Sequence, residues 1–148
     1  MTPAQQFVIQ IVEWNQHRDA LAKIRTDVFV KEQNVPAKLM LDELDPDAIH
    51  AVALDTEGNI VGAGRMVLSL PMPRIGRMAV LKSWRNTGVG GKLLEAFCKA
   101  AKENGFSEVT LHSQTHATPF YYKHGFLSRG AEFFEAGIPH QEMRKRLD

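Results

Sequence analysis

A glycine-rich turn between a strand and a helix, in the middle of the chain, constrains the fold more than any other segment. Residues 74–81 are predicted to form a strand, and residues 85–92, with the sequence RNTGVGGK, follow it. A helix is predicted from about residue 89 to residue 104, because its apolar residues fall on one face and Gly105 suits the C-terminal cap. A strand that leads through a tight turn into an amphipathic helix is typical of a sheet covered by helices.

The rest of the chain supplies further strands and two more helices. Strands are predicted at residues 7–12, 50–54, 60–68, 109–112, about 126–135 and about 140–147. The first helix has Asn15 or Asp19 as its N-terminal cap, and a short helix covers residues 117–124. The apolar residues of the first helix recur at helical spacing: Leu21, Ile24, Val28 and Phe29. The order β-α-β-β-β-α-β-α-β-β predicts an α+β fold, in which helices lie on the faces of a mixed sheet.

Length and charge indicate one ordinary globular domain. A chain of 148 residues is typical of a single domain, so we expect residues 1–148 to fold as one unit. The net charge of +1 argues against a dedicated nucleic-acid-binding protein. Residues 1–6 carry no basic charge, and no segment reaches the roughly 20 apolar residues of a membrane span, so we expect neither a signal peptide nor a membrane partner. The single cysteine, Cys98, cannot form an internal disulfide, which favours a cytoplasmic location.

The turn at residues 85–92 has the composition of an anion-binding site. The first turn of a helix presents free N–H groups and a positive dipole end, and Arg85 and Lys92 add positive charge there. The glycine spacing differs from the dinucleotide pattern G-x-G-x-x-G, and Leu93 stands where a Walker loop requires Ser or Thr. The spacing alone is equally compatible with a tight strand-to-helix turn that binds no ligand.

Three segments match one family pattern, in order along the chain. They are residues 77–80 (RMAV), residues 85–90 (RNTGVG) and residues 117–126 (ATPFYYKHGF). In that order they resemble the central strand, the coenzyme A pyrophosphate loop and the A-x-x-x-Y-x-x-x-G-F segment of the GNAT superfamily of N-acetyltransferases. Residues 28–33 (VFVKEQ) and 137–140 (GIPH) look like the small stand-alone bacterial ElaA-like branch. The resemblance implies one GNAT domain, whose mostly antiparallel mixed sheet is splayed at the coenzyme A site and carries helices on both faces.

The same resemblance implies acetyl-CoA as co-substrate and no metal. The backbone of Met78, Ala79 and Val80 would pair with the pantetheine arm, and an N–H near Val80 would face the acetyl oxygen. Gln114 stands where the family often has Asn, and its amide offers the same hydrogen-bonding groups on a longer side chain. The implied coenzyme-binding residues are Met78, Ala79, Val80, Arg85, Asn86, Thr87, Gly88, Val89, Gly90, Gly91, Gln114 and Phe120.

Acetyl transfer from a thioester to an amine requires a proton donor for the leaving thiolate and an acceptor for the amine proton. Adjacent helical residues point about 100° apart, so only one of Tyr121 and Tyr122 can face the sulfur, and the family register selects Tyr121. His112 and Gln114, two apart on a strand, should face the same side. The candidate bases are Glu32, Asp42, Glu43, His112 and His140, with proton transfer through water as the alternative. Tyr121, His112 and Glu43 are our candidate catalytic residues.

The predicted activity is transfer of an acetyl group from acetyl-CoA to a primary amine, by direct attack in a ternary complex. The alternative is a GNAT-fold module that binds acyl-CoA without turnover. The acidic residues between positions 42 and 47 form either a solvated loop or a surface that attracts a cationic amine. The expected partner is a small-molecule or peptide amine, and the habit of the family suggests a homodimer.

Overall fold

A computed structural model describes residues 5–148 and places seven strands in one sheet. The strands are β1 (Phe7–Val12), β2 (Ile49–Asp55), β3 (Ile60–Val67), β4 (Arg74–Val80), β5 (Glu108–Gln114), β6 (Leu127–Glu135) and β7 (Ile138–Arg146). Their order across the sheet is β1-β2-β3-β4-β5-β7-β6. Every neighbouring pair is antiparallel except β4 and β5, which are parallel. The predicted mixed, mostly antiparallel sheet is confirmed.

The three predicted helices are present in the predicted order. They are α1 (Trp14–Arg25), α2 (Val89–Glu103) and α3 (Thr118–Lys123), and a π-helical turn (Thr26–Val30) continues α1. The prediction that Asn15 or Asp19 caps α1 is wrong, because both residues lie inside the helix and Glu13 occupies the N-cap position. Within residues 5–148, no helix is long and apolar enough to cross a membrane.

Helices cover both faces of the sheet because successive strand residues point to opposite sides. On β2, Val52 packs in the cluster that contains Leu21 and Ile24 of α1. Its neighbours Ala51 and Ala53 pack in the cluster that contains Leu93 and Phe97 of α2. We call these two sides the α1 face and the α2 face.

The sheet separates into two parts between β4 and β5. These two strands pair only at Arg74 with Thr110 and at Ile75 with Leu111. Immediately afterwards β4 contains a bulge, in which one extra residue is inserted relative to β3, and Arg77 there has a φ of +53°. The rest of β4 is not paired with β5, so a gap opens between the carboxyl ends of the two strands. This gap agrees with the splayed sheet that the sequence predicts.

Candidate active site

The turn before α2 presents the helix N-terminus without a side-chain cap. Gly88 is the N-cap residue, with a φ of +95°, and Asn86 also has a positive φ, of +62°. The Thr87 hydroxyl donates to the carbonyl of Trp84, so it stabilises the turn instead of capping the helix. The first N–H groups of this 15-residue helix therefore lack a side-chain partner, and together with the helix dipole they suit an anion.

The two glycines inside the first turn of α2 are required by helix packing. A Cβ atom at Gly90 would lie 2.9 Å from Cζ of Phe120, and one at Gly91 would lie 2.7 Å from Cε1 of His124. Both aromatic side chains belong to α3 or to the residue directly after it. These glycines therefore allow α3 to pack closely against α2, whether or not a ligand binds at the turn.

The segment that follows the π-helical turn touches both sides of the gap. Nη2 of Arg85 donates to both carboxylate oxygens of Glu32 at 2.9 Å, and Nε of Arg85 donates to the Val80 carbonyl at 3.0 Å. On the other side, the Gln114 amide donates to the Gln33 side chain at 2.8 Å. Glu32 and Gln33 thus connect the turn before α2 with the end of β5, across the gap at the carboxyl ends of β4 and β5.

The candidate strand residues of β4 have alternating environments. Ala79 is buried on the α1 face, whereas Met78 and Val80 are half-buried and pack against the α2-face cluster. Their backbone edge towards β5 lies beyond the last β4–β5 pair, at Ile75. An extended ligand chain could hydrogen-bond to this edge as an added strand.

The two adjacent tyrosines of α3 differ in environment, as the helix geometry predicts. Tyr121 packs against Phe120 and Phe126, with ring centroids 5.0 Å and 6.0 Å away. Burial raises the pKa of Tyr121 to about 12. Its hydroxyl makes no hydrogen bond to another residue of the part of the chain that the structure describes. Tyr122 is exposed and its hydroxyl is hydrogen-bonded to Ser128, so it does not pack in the core.

A carboxylate that the sequence reasoning missed, Glu135 on β6, lies between two histidines. The carboxylate can only accept, so Nδ1 of His112 donates to it, at 3.1 Å, and Nε2 of His112 is left free to accept a proton. Nε2 of His140 lies 3.7 Å from the other carboxylate oxygen. The hydrogen bond from His112 is the main cause that lowers the pKa of Glu135. The rings of His112 and Phe133 also pack in a T-shaped arrangement, with centroids 5.0 Å apart.

Tyr121 and His112 lie on opposite faces of the sheet. Tyr121 packs against the α2-face cluster, whereas His112 alternates with the buried Leu111 of that cluster and so points to the α1 face. Gln114 shares the face of His112, as predicted. The structure does not bring Glu43 to them: its side chain is exposed and forms no ion pair with another residue between positions 5 and 148.

Two of the four carboxylates in the acidic segment, those of Asp42 and Asp45, are not solvated. Asp45 is fully buried and accepts two hydrogen bonds from Arg25, at 2.9 and 3.0 Å, and one from Arg65 at 3.0 Å. Asp42 accepts two from Arg65, at 2.6 and 3.0 Å, and one from Arg77 at 3.3 Å. The alternative interpretation, that these residues attract a cationic amine, is therefore also wrong for Asp42 and Asp45, because arginines already neutralise their charges.

These ion pairs keep both aspartates ionised. The hydrogen bond from Arg65 is the main cause that lowers the pKa of Asp42 to about 2. Burial opposes ionisation of Asp45, but hydrogen bonds from Arg25 and from the Asp42 N–H outweigh it and hold the pKa of Asp45 below its usual value. Asp42 and Glu32, each held by an arginine, are poorly suited as general bases, which leaves the two histidines as better candidates.

Comparison with known proteins identifies the family. A family model described as an acetyltransferase (GNAT) domain matches residues 15–147. The uncharacterized N-acetyltransferase YjcF of Bacillus subtilis is 47% identical over 123 residues, which cover 82% of this chain and 87% of that protein.

Solved structures agree with the family model over almost the whole chain. An acyl-CoA N-acyltransferase from Pseudomonas aeruginosa superposes with a TM-score of 0.81 at 28% identity, covering 95% of this chain and 99% of that one. ElaA of Escherichia coli superposes with a TM-score of 0.84 at 27% identity, with the same coverage of 95% and 99%. Together with the separated strands β4 and β5, these matches confirm the predicted fold and its likeness to ElaA. The chain belongs to the GNAT family of acetyltransferases.

Proposed function

We propose that this protein transfers an acetyl group from acetyl-CoA to a primary amine by direct attack in a ternary complex. The observation that carries the proposal is the gap between β4 and β5, which lies next to the uncapped N-terminus of α2. One site thus offers a free strand edge for an extended thioester arm and a positive helix end for its pyrophosphate.

The residues of the turn and of β4 fit the two parts of the coenzyme. The N–H groups of residues 88–91 are directed to a pyrophosphate, and Arg85 supplies a guanidinium at the same end of the gap. The backbone edge of Met78, Ala79 and Val80 hydrogen-bonds the pantetheine arm, and an N–H near Val80 stabilises the negative charge that develops on the acetyl oxygen. Gln114 and Phe120 contact the arm from β5 and α3.

Proton transfers are assigned to side chains on the two faces of the sheet. The amine nitrogen attacks the thioester carbonyl carbon, the C–S bond breaks, and a new C–N bond forms. The amine proton passes to Nε2 of His112, directly or through water, and Glu135 holds the imidazole with that nitrogen free. The Tyr121 hydroxyl donates a hydrogen bond to the departing sulfur. Glu43, which is exposed, is a weaker candidate base than His112.

Direct attack, rather than transfer through an acetyl-cysteine, is supported by the environment of Cys98. Burial raises the pKa of this thiol, and reactive cysteines have lowered pKa values. Cys98 lies within α2 and packs at the edge of the α2-face cluster. A Cys98→Ser variant is therefore expected to retain activity. Initial rates at varied concentrations of both substrates should give intersecting reciprocal plots, whereas parallel plots would indicate a covalent intermediate.

Release of free thiol from acetyl-CoA, with a panel of primary amines, tests the proposal. We expect amine-dependent thiol release, and mass spectrometry of the product should locate the acetyl group on nitrogen. His112→Gln should lower kcat while the affinity for acetyl-CoA, measured by calorimetry, stays near that of the wild type. If acetyl-CoA binds but no amine causes thiol release, the protein is a binding module and the proposal fails.

A further inference from the structure

Arg77 is held in the gap by an unusual backbone conformation. It is the residue with positive φ in the β4 bulge, two positions after Ile75, the last residue that pairs with β5. A positive φ is uncommon for residues other than glycine and is costly unless the surrounding structure enforces it. The bulge directs the Arg77 side chain to the α1 face, where it reaches Asp42 and the carbonyl of Leu39.

The guanidinium of Arg77 has unused hydrogen-bonding capacity. Its two hydrogen bonds come from one nitrogen, Nη2, and are long, at 3.3 and 3.4 Å. Its Nε is buried without a partner among residues 5–148. Asp42 is already held by two shorter hydrogen bonds from Arg65, so it does not need Arg77 for neutralisation. A buried donor without a partner is unfavourable, so the contacts within the chain do not fully satisfy this guanidinium.

Arg77 belongs to a cluster of arginines and aspartates that has an excess of positive charge. Arg25, Arg65 and Arg77 contribute three positive charges, and Asp42 and Asp45 contribute two negative ones. The excess falls on Arg77, because Arg25 and Arg65 are each paired with a carboxylate at 3.0 Å or less. Arg77 is also the most accessible of the three, since 28% of its side chain is exposed.

The opposite wall of the gap carries the complementary charge. Glu135, whose side chain is 47% exposed, lies on the α1 face beside His112 and His140. The hydrogen bond from His112 lowers its pKa most, and the nearby charge of Arg77 adds to this effect. Arg77 and Glu135 therefore both lie on the α1 face, one as a cation on the β4 side of the gap and the other as an anion on the β5 side. A zwitterionic molecule complements this arrangement better than a simple cation does.

We propose that the acceptor is an amine that also carries a carboxylate, and that Arg77 binds this carboxylate while the amino group lies towards His112 and Glu135. This inference rests on the proposed function and specifies its substrate class. A guanidinium matches a carboxylate in two parallel hydrogen bonds, which a lysine cannot reproduce. Nη1 makes no hydrogen bond to another residue between positions 5 and 148, and the two from Nη2 are long, so a carboxylate can bind along the Nη1–Nη2 edge in place of the Nη2 contacts.

The test compares acceptors that differ only in the carboxylate. L-phenylalanine is paired with L-phenylalaninamide, and 4-aminobutyrate with 4-aminobutanamide, and thiol release from acetyl-CoA gives kcat/KM for each. We expect the wild type to prefer the carboxylate member of at least one pair. Arg77→Gln should reduce the carboxylate-to-amide ratio about 10- to 150-fold, since hydrogen bonds to charged groups contribute about 1.5–3 kcal/mol. Arg77→Lys should retain part of the preference.

Controls separate this inference from its premise. Arg18→Gln removes an exposed positive charge from α1 and should leave the ratio unchanged. Thermal unfolding verifies that each Arg77 variant is folded. If amides are acetylated as well as carboxylates, or if Arg77→Gln slows both members of each pair equally, the inference is overturned while the acetyltransferase activity stands. If neither member of any pair releases thiol, the activity itself fails and the inference falls with it.

Discussion

Replacing Tyr121 by phenylalanine removes one hydroxyl group and keeps the ring that packs against Phe126. The burial of Tyr121 determines how much the loss of this hydroxyl should lower kcat. Tyr121 has a pKa of about 12, whereas an alkyl thiol has a pKa of about 8.5. Complete proton transfer from this phenol to the leaving thiolate is thus unfavourable by about 3.5 pKa units, or about 5 kcal/mol. The hydroxyl is better suited to stabilise the thiolate by a hydrogen bond.

A hydrogen bond to a charged group contributes about 1.5–3 kcal/mol. Because about 1.4 kcal/mol corresponds to a factor of ten in rate, Tyr121→Phe should lower kcat about 10- to 150-fold. The assay is thiol release at saturating acetyl-CoA, with calorimetry to verify that the coenzyme still binds. Tyr122→Phe is the matched control, because this neighbouring hydroxyl is exposed and bonded to Ser128, and its loss should leave kcat unchanged.

Two results would refute this reasoning. A loss well above about 10³-fold would exceed the contribution of one hydrogen bond and would indicate full general-acid catalysis by Tyr121. An unchanged kcat would mean that the Tyr121 hydroxyl does not contact the sulfur. The pH profile gives an independent criterion. With the pKa of Tyr121 raised to about 12, its ionisation should not reduce the rate across the neutral and mildly alkaline range.

Three further outcomes are expected. Gly90→Val should weaken acetyl-CoA binding, because a Cβ at position 90 would lie 2.9 Å from Cζ of Phe120. In a Phe120→Ala background the same change should reduce the affinity only slightly. An equal loss of affinity in both backgrounds would contradict the packing argument. Asp45→Asn should lower the free energy of unfolding by about 3–5 kcal/mol in urea denaturation, since it leaves buried arginines uncompensated, whereas the exposed Asp47→Asn should change it by less than about 0.5 kcal/mol. Asp42, with its pKa lowered from 3.8 to about 2, should contribute about 2 kcal/mol of stability. This contribution should be complete above about pH 5 and be lost as the pH falls through about 2. Asp42→Asn should abolish this part of the pH dependence.

The order of strands and helices could be predicted from the sequence because each element carries its own periodicity. α2 is the clearest case: its apolar stripe and Gly105, which has a φ of +86°, gave both ends to within a residue. The start of α1 was predicted wrongly because Asn15 and Asp19 are good capping residues, yet the helix already begins at Trp14, which is buried by tertiary packing. Here tertiary packing outweighs the local preference of Asn and Asp for the N-cap position.

Long-range partners could not be predicted in the same way. An acidic run is usually solvated, and nothing near Asp45 in sequence indicates that Arg25 and Arg65, each 20 residues away, will surround it. Glu135 was overlooked for a similar reason, since its proximity to His112 depends on β7 lying between β5 and β6. Alternation along β6 could have placed Glu135 on one face with Phe133, but not against His112.

The two residue pairs between β4 and β5 also have a mechanical consequence. β1–β4 and β5–β7 form two antiparallel plates, and α2 packs against both through a cluster that includes Leu93, Phe97, Val61 and Met143. A change in the angle between the plates would disturb these two pairs and the hydrogen bond from Gln114 to Gln33, but no continuous ladder. Such a hinge motion about α2 would leave the hydrogen bonding inside each plate intact.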